Sequence, residues 1–350
     1  MKEKMASRGL DAFVAIQNTR YFSGSTAGKA VIIPLEGKPI LLCSRLELEQ
    51  ARRQSWIRDV RAFSSWKAPL QRGERVIFQE MNEVIAGCLR ELGASSVGYD
   101  RASRDSIRKI RNFHQAGYRE LPGLVLELRM IKSADELVLL KKSAKIAVKG
   151  MEKAAELVEP GRTELEMAAE AEFEMRKAGS EGTSFPTIVA SGRNSWLPHA
   201  QATEKKLAKG ELVVVDMGAT VEGYCSDMTK TFTLSPTRRQ LKLLGIVKRA
   251  QGAALSKVRP GVKASDIDGA ARQVIARAGH ARFFPHGMGH GVGMEVHEPP
   301  SLSPVSKDIL REGMVITVEP GAYLPGVGGV RWEDMVLVWK GGHSSLTSGR

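Results

Sequence analysis

Four carboxylates occupy matching places in two halves of the C-terminal part of the sequence. Asp216 and Glu319 each end an apolar stretch, and the two stretches resemble each other at an offset of 103 residues. Asp227 and Glu333 each follow a glycine by four residues, and they are offset by 106 residues. Two halves related by a pseudo-twofold axis would bring all four carboxylates to one site.

A glycine-rich segment, 286–299, supplies imidazoles. It contains His286, His290 and His297, which are three of the seven histidines in the chain. Its four alternating glycines exclude a stable helix, so it is not a helical zinc motif of the His-Glu-x-x-His type. It does not open a helix after a strand either, which excludes a dinucleotide-binding fingerprint. Glycines at these positions would let the backbone approach a ligand closely.

Carboxylates and imidazole together indicate a metal site. Four carboxylates in one pocket repel each other, and burial would raise their pKa values. Two divalent cations per chain would balance the four negative charges. Oxygen ligands with a single imidazole suit Mn or Co, with Zn or Fe as alternatives, better than they suit a structural zinc site. A pair of such ions can deprotonate a bridging water and polarise a carbonyl, which is the chemistry of hydrolysis.

The elements that must position these residues repeat in step with them. The sequence predicts two hairpins, with strands at 212–216 and 224–233 and at 314–319 and 330–338. Each hairpin would carry two of the four carboxylates. A Val-x-Pro-Gly turn at 158–161 recurs at 258–261, and each turn precedes a helical run that ends in Ala-Gly. Capping boxes at Ser133 and Thr163 predict two helix starts.

The first 125 residues have a different pattern and no chemical motif. Short buried strands are predicted at 11–16, 30–34 and 38–43, and helices at 44–54, 76–93 and 102–113. We therefore predict two domains, a small α/β domain over residues 1–125 and a catalytic domain over residues 126–350. The fold class as a whole is α+β, with an internal pseudo-twofold repeat in the catalytic domain.

Composition excludes several classes of partner. The formal net charge is +13, but the charges are scattered without a long basic block, so no nucleic-acid partner is expected. No run of eighteen apolar residues occurs, so neither a transmembrane helix nor a membrane partner is expected. The charged residues 1–8 have no apolar core behind them and do not form a signal peptide. Three widely spaced cysteines (Cys43, Cys88 and Cys225) fit a reduced compartment, and we expect a cytoplasmic protein.

The carboxylates and the histidine segment together resemble the pita-bread metallopeptidases, the family of methionine aminopeptidase, aminopeptidase P and prolidase. The likeness extends over essentially the whole chain and is greatest to the proline-specific branch. The five metal-ligand positions of the family are matched in order by Asp216, Asp227, His290, Glu319 and Glu333. By this resemblance Asp227 and Glu333 bridge both metals. Asp216 binds one metal, and His290 with Glu319 binds the other.

The resemblance also implies which residues act on the substrate. Glu319 matches the general base of the family, and His199 and His297 match histidines that contact the substrate and the tetrahedral intermediate. His286 matches a further histidine of the pocket. These matches imply hydrolysis of Xaa-Pro bonds, as in an Xaa-Pro dipeptidase or aminopeptidase, by attack of a metal-bridging hydroxide.

Three further positions bear on the pocket. Arg331 and Tyr323 match positions beside the metal ligands. Arg331 is expected either to orient Glu333 through an ion pair or to contact the substrate, and Tyr323 belongs either to the core or to the site. Many prolidases have an arginine four residues after the histidine matched by His297, where this chain has Ser301. The neutral serine predicts that peptides longer than a dipeptide are also accepted.

Two other functions are compatible with such a fold. A creatinase-like amidinohydrolase would lack the metal ligands, which are intact here. A non-catalytic protein that binds RNA or another protein would fit the basic charge but would not need the intact site. The resemblance to proline-specific enzymes further implies a homodimer, in which the N-terminal domain contributes to pairing.

Overall fold

The computed structural model describes residues 1–348. The chain divides into two compact units, the first at Met1–Leu128 and the second beginning at Arg129. The boundary predicted between residues 125 and 126 lies just before this division. Within residues 1–348, no helix is long and apolar enough to cross a membrane.

The first unit is built on a seven-stranded mixed sheet with the strand order β5-β4-β3-β2-β1-β6-β7. Its strands are β1 (Ala12–Ala15), β2 (Gly28–Pro34), β3 (Ile40–Ser44), β4 (Asp59–Phe63), β5 (Val76–Ile77), β6 (Ser96–Tyr99) and β7 (Gly117–Glu120). Its helices are α1 (Lys2–Ala6), α2 (Thr19–Ser23), α3 (Leu48–Gln54), α4 (Met81–Glu91), α5 (Arg104–Phe113) and α6 (Pro122–Met130). The predicted α/β class of this region is confirmed, but the helix expected over 76–93 begins only at Met81, after the short strand β5.

Burial on both faces explains why the three central strands β1, β2 and β3 are mostly apolar, whereas the outer strands β4 and β7 carry charged residues. In β1, Phe13 and Ala15 belong to one hydrophobic cluster, whereas Ala12 and Val14 belong to another. Successive side chains of a strand point to opposite faces, so each face of the sheet has its own core. Residues of α1, α3 and α6 complete the first core, and residues of α4 and α5 complete the second.

The second unit contains four helices and thirteen strands among the described residues. The helices are α7 (Ala134–Glu156), α8 (Glu164–Lys177), α9 (Arg238–Leu255) and α10 (Ala264–Arg277). The strands are β8 (Gly182–Thr183), β9 (Ile188–Ser191), β10 (Glu211–Met217), β11 (Ala219–Val221), β12 (Tyr224–Cys225), β13 (Met228–Leu234), β14 (Gly289–Gly291), β15 (Glu298–Leu302), β16 (Val315–Val318), β17 (Gly321–Leu324), β18 (Gly328–Arg331), β19 (Asp334–Trp339) and β20 (Gly342–Ser345). The capping boxes at Ser133 and Thr163 are confirmed at the starts of α7 and α8.

The predicted pseudo-twofold repeat is confirmed by the way these elements pack. In the first half, α7 and α8 cover the sheet of strand order β13-β10-β9, and in the second half α9 and α10 cover the sheet β15-β14-β16-β19-β20. The turns before α8 and α10 also match. The backbone N–H of Gly161 donates to the carbonyl of Leu207 at 2.9 Å, and that of Gly261 donates to Leu310 at 2.8 Å. Both glycines have φ near +90°, a conformation that favours glycine.

Each of the two long strands predicted at 224–233 and 330–338 is interrupted, which corrects the sequence prediction. β12 pairs with β11 in one sheet and β13 pairs with β10 in another, so the chain changes sheets between them. In the second half β18 pairs with β17, and β19 pairs with β16. Asp227 and Glu333 lie at these two changes of sheet. The irregular backbone there turns a carboxylate inward at equivalent points of the two halves.

Candidate active site

One cavity of the second unit, with a volume of about 890 Å³, is lined by every residue that the sequence predicts for the site. These residues are His199, Asp216, Asp227, His286, His290, His297, Glu319, Tyr323, Arg331 and Glu333. The two halves of the repeat therefore contribute their carboxylates to the same space. The roles of the individual residues remain predictions.

In the first half, two carboxylates reach the cavity from β10 and from the start of β13. Asp216 lies near the end of β10, opposite Thr229 of β13. Asp227 lies directly before β13, at the change of sheet. Both carboxylates are buried.

In the second half, the equivalent carboxylates are tied to their surroundings by threonine hydroxyls. Glu319 follows β16, and one of its oxygens accepts a hydrogen bond from the hydroxyl of Thr317 at 3.2 Å. Glu333 is almost completely buried and accepts a hydrogen bond from Thr229 at 2.6 Å. The backbone N–H of Glu333 donates to the carbonyl of Thr229 at 2.9 Å. The two bonds between Thr229 and Glu333 join the two halves of the repeat.

The glycines around His290 are required by close backbone contacts. A Cβ atom at Gly289 would lie 2.2 Å from the carbonyl oxygen of Thr317, and one at Gly291 would lie 2.2 Å from that of Pro299. The Nδ1 atom of His290 lies 3.1 Å from the carbonyl of Gly291 and donates to it. This bond leaves Nε2 of His290 as the nitrogen that faces the carboxylates, the arrangement expected of a metal-binding imidazole.

The like charges of the site shift the pKa values of its carboxyl groups. Burial, followed by the charges of Glu333, Asp216 and Glu319, raises the pKa of Asp227 well above its usual range. Burial and the charges of Glu319 and Asp216 likewise raise the pKa of Glu333. Burial acts in the same direction on Glu319, but its hydrogen bond with His290 and the charge of His290 outweigh burial and lower its pKa. Without cations, the site therefore favours protons on two of its carboxyl groups.

The sequence suggested that Arg331 either pairs with Glu333 or contacts the substrate. In the structure its guanidinium forms no ion pair with Glu333. Its guanidinium donates to Asp216 at 2.6 Å and to the hydroxyl of Tyr323 at 2.8 Å. The Tyr323 hydroxyl lies 3.1 Å from Nε2 of His286, whose Nδ1 donates to the carbonyl of Gly287. Tyr323 is thus part of the site rather than only of the core, because its hydroxyl links the arginine to a pocket histidine.

The donor atoms fit divalent cations. One ligand atom each of Asp227, His290 and Glu333 lie within 4.8 Å of one another. Oδ1 of Asp216 and Oε1 of Glu333 are buried and have no hydrogen-bond partner among the described residues. A buried oxygen without a partner is unfavourable unless something binds it, and a cation would satisfy both atoms. Carboxylate oxygens with one imidazole suit Mn, Co, Fe or Zn.

The remaining two histidines lie on the open side of the cavity. The rings of His297 and His290 have their centroids 4.2 Å apart. Burial, followed by the charge of His290, lowers the pKa of His297, and His199 acts in the same direction. Both His199 and His297 are exposed. They are therefore more accessible to a molecule that enters the cavity than the buried carboxylates of Asp216, Asp227 and Glu333.

Sequence reasoning assigned no role to Thr229 and Thr317, which orient two of the carboxylates. A signal was present for Thr317, which stands two residues before Glu319 in an otherwise apolar strand. A buried hydroxyl on the same face as a carboxylate needs a partner, and the carboxylate can accept its hydrogen bond. Thr229 shares the period-two face of Asp227 but donates to Glu333 of the other half, a contact that no local pattern indicates.

The fold and the site define a class, that of metal-dependent hydrolases whose active site lies between two halves of a repeated domain. Residues 138–340 match Metallopeptidase family M24, and residues 1–131 match the Creatinase/Prolidase N-terminal domain. The chain belongs to metallopeptidase family M24. The predicted pita-bread architecture of the catalytic domain is thereby confirmed.

Individual relatives are similar to this chain over nearly their whole length. The Xaa-Pro dipeptidase of Pyrococcus horikoshii is 36% identical over 99% of this chain and 95% of its own length. An Xaa-Pro dipeptidase structure from Bacillus anthracis superposes with a TM-score of 0.89 at 32% identity, covering 100% of this chain and 96% of that one. An X-Pro aminopeptidase structure from Thermotoga maritima gives 0.88 at 32% identity, covering 98% and 96%.

We predict that Asp227→Asn destroys metal binding but stabilises the metal-free protein. Because the pKa of Asp227 is raised in the folded state, this group destabilises the fold increasingly as the pH rises from its unfolded pKa to its folded pKa, and the cost disappears below the unfolded value. In chelator at pH 8, the variant should melt about 3 °C higher than wild type, which is about 1 kcal/mol for a domain of this size. The gain should shrink at pH 5.

Asp268→Asn is the matched control for this prediction. Asp268 is equally buried but is paired with Arg272 at 2.6 Å, so its loss should lower the melting temperature. A metal-free Asp227→Asn protein that melts below wild type at both pH values would contradict the repulsion argument. Two bound metals in that variant would contradict the bridging role.

Proposed function

We propose that this metallopeptidase hydrolyses peptide bonds that precede proline, as an Xaa-Pro dipeptidase or aminopeptidase. The observation that carries the proposal is the convergence of four carboxylates and His290 in one cavity, with buried oxygens of Asp216 and Glu333 left free for cations. The preference for proline is supported by the similar proteins from P. horikoshii, B. anthracis and T. maritima, which are described as Xaa-Pro dipeptidases and an X-Pro aminopeptidase.

Five side chains would hold two divalent ions. Asp227 and Glu333, at the two changes of sheet, would each contact both ions. Asp216 would contact one ion, and His290 with Glu319 the other. When bound, such a pair of cations lowers the pKa of a water molecule between them and polarises the carbonyl of the scissile bond.

The protein's own groups would then handle the protons. Glu319 would take a proton from the attacking water and pass it to the departing nitrogen. His297 would donate a hydrogen bond to the oxygen of the tetrahedral intermediate. His199 would face the leaving side of the substrate. Arg331 would hold Asp216 in place through its 2.6 Å contact.

Recognition of proline must rest on shape, because an Xaa-Pro bond has no amide N–H to bind. The wall of the cavity supplies apolar surface from Phe185, Pro186 and Ile188. A rigid ring packs against such a wall without needing a hydrogen-bond partner. We further propose that the enzyme is a homodimer, as its resemblance to proline-specific enzymes implies, and that it is cytoplasmic, as its three widely spaced cysteines indicate.

Metal removal is the direct test of this proposal. Chelation should abolish cleavage of an Xaa-Pro substrate, because the ionised carboxylates cannot share the site without cations, and Mn or Co should restore it. Metal content measured on the same samples shows whether stripping succeeded. Full turnover by protein with verified loss of metal would refute a metal-dependent mechanism.

Substitutions of Glu319 and His297 should reduce kcat by different amounts. Glu319→Gln removes a proton acceptor and a ligand charge, and we expect kcat to fall by about 10⁴-fold or more. His297→Ala removes one contact to the developing oxyanion, for which a loss on the order of 10²–10³-fold is typical. Steady-state kinetics on the metal-loaded variants would measure both losses. The reverse ranking would contradict the assigned roles.

Ser301 should influence the length of the accepted peptide. It is exposed, lines the cavity and lies opposite His290 in the pairing of β14 with β15. A serine offers no charge to the C-terminal carboxylate of a dipeptide. The enzyme should therefore cleave both Met-Pro and the longer peptide Met-Pro-Ala-Ala. Ser301→Arg should shift kcat/KM toward the dipeptide by about tenfold, or about 1.4 kcal/mol.

Ser301→Ala is the control for that experiment, since it removes the hydroxyl without adding a charge and should leave the preference unchanged. If wild type cleaves only the dipeptide, another residue binds the carboxylate and Ser301 does not set the substrate length.

A further inference from the structure

A buried carboxylate outside the cavity holds the segment that carries His199. Glu164 is the first residue of α8 and has no exposed surface. Its two oxygens accept six hydrogen bonds from only three residues, Ser191, Asn194 and Thr203. None of the salt bridges among the described residues involves Glu164.

These three residues lie at or near the two ends of the segment 192–203, which we call the His199 loop. Ser191 ends β9, directly before the loop, and donates both its N–H and its hydroxyl to Oε1 of Glu164 at 2.7 and 2.8 Å. Thr203 ends the loop and donates its N–H and hydroxyl to Oε2 at 3.1 and 2.6 Å. Asn194 donates to both oxygens. One carboxylate therefore joins the two ends of the loop.

The far side of the loop is fixed to the metal side of the cavity. The hydroxyl of Ser195 accepts a hydrogen bond from the N–H of Gly329 at 2.9 Å. The carbonyl of Pro198 accepts one from Arg331, the residue that also holds Asp216. His199 follows Pro198 directly. Its position is thus determined by Arg331 on one side and by the ends of the loop on the other.

The repeat shows that the helix itself does not need this carboxylate. The residue at the equivalent position of α10 is Ala264, which is also fully buried and begins its helix without a carboxylate. A carboxylate is suited to position 164 because both of its oxygens accept hydrogen bonds. The NH2 group of a glutamine side chain would instead face the donor groups of the surrounding residues. The positive end of the α8 dipole favours the charge at this place.

We propose that Glu164 is a positioning residue for catalysis, which acts by holding His199 at the substrate side of the cavity. This inference rests on the proposed function, in which His199 contacts the substrate. Glu164 touches neither the metal ligands nor the cavity, so its effect passes through the His199 loop.

The experiment compares Glu164→Gln in two backgrounds. In wild type, kcat/KM for Met-Pro-Ala-Ala should fall roughly 10- to 100-fold, because misplacement of a substrate contact by about 1 Å has effects of this size. In His199→Ala protein, the same substitution should cost less than about threefold, since the group that it positions is already absent. The number of bound metals should not change in either case.

Hydrogen exchange separates this role from a general loss of stability. Amides of residues 195–202 should exchange at least about tenfold faster in Glu164→Gln, while those of β10 and β16 keep their protection. The matched control is Ser143→Ala, which removes a buried donor to the carbonyl of Ala219 on β11. It should lower the melting temperature but leave exchange in the His199 loop unchanged.

Equal losses from Glu164→Gln in both backgrounds, or unchanged exchange at 195–202, would overturn the proposal. If Glu164→Gln does not fold, Thr203→Val removes the 2.6 Å bond to Glu164, together with two longer bonds that the hydroxyl accepts from Lys205 and Asn194. It should give a smaller effect with the same dependence on His199. A wild-type enzyme that fails to cleave Xaa-Pro bonds would refute the proposed function instead. The exchange experiment would still show whether Glu164 holds the loop.

Discussion

Repulsion among four carboxylates is the constraint on which the second unit depends. Their charges and their burial raise the pKa values of Asp227 and Glu333, so the unliganded site is a source of instability within an otherwise apolar core. Such a site persists only when the surrounding structure holds its members in place. The threonine hydroxyls and Arg331 do so from behind the cavity, and cations would supply the missing charge from within it.

The repeat explains how one chain brings these groups together. Each half contributes one carboxylate from the end of a central strand and one from the point at which the chain changes sheets. Two equivalent halves therefore yield two pairs of ligands that face each other, without a long loop to carry them. Asymmetry appears where the chemistry requires it. The imidazole of His290 comes only from the second half, on a strand whose flanking glycines allow backbone contacts too close for any larger residue.

Much of this arrangement could be predicted from the sequence, because it depends on local patterns. Capping boxes, Pro-Gly turns and apolar stretches that end in carboxylates repeat at nearly constant offsets, and the family resemblance gave the same residues. The interruptions before Asp227 and Glu333 could not be predicted, since a change of sheet depends on which distant strands are available for pairing. Of the two roles expected of Arg331, the ion pair with Glu333 is wrong. Glu333 is only two residues away in sequence, but in the folded chain the guanidinium donates to Asp216.

The two sides of the cavity are held by different means, and this difference follows from their tasks. The metal side consists of buried strands whose hydrogen bonds leave little freedom, which suits ligands that must keep fixed distances. Under the proposed function, the other side of the cavity admits and releases a peptide. His199 and His297 are exposed there, and His199 lies on a loop. A loop has more conformational entropy than a strand, and contacts that join its two ends reduce that entropy. The six hydrogen bonds of Glu164 join them, and the contact of Pro198 with Arg331 connects the same loop to the carboxylates. Under the proposed function, Arg331 therefore links the placement of the substrate to the placement of the metals.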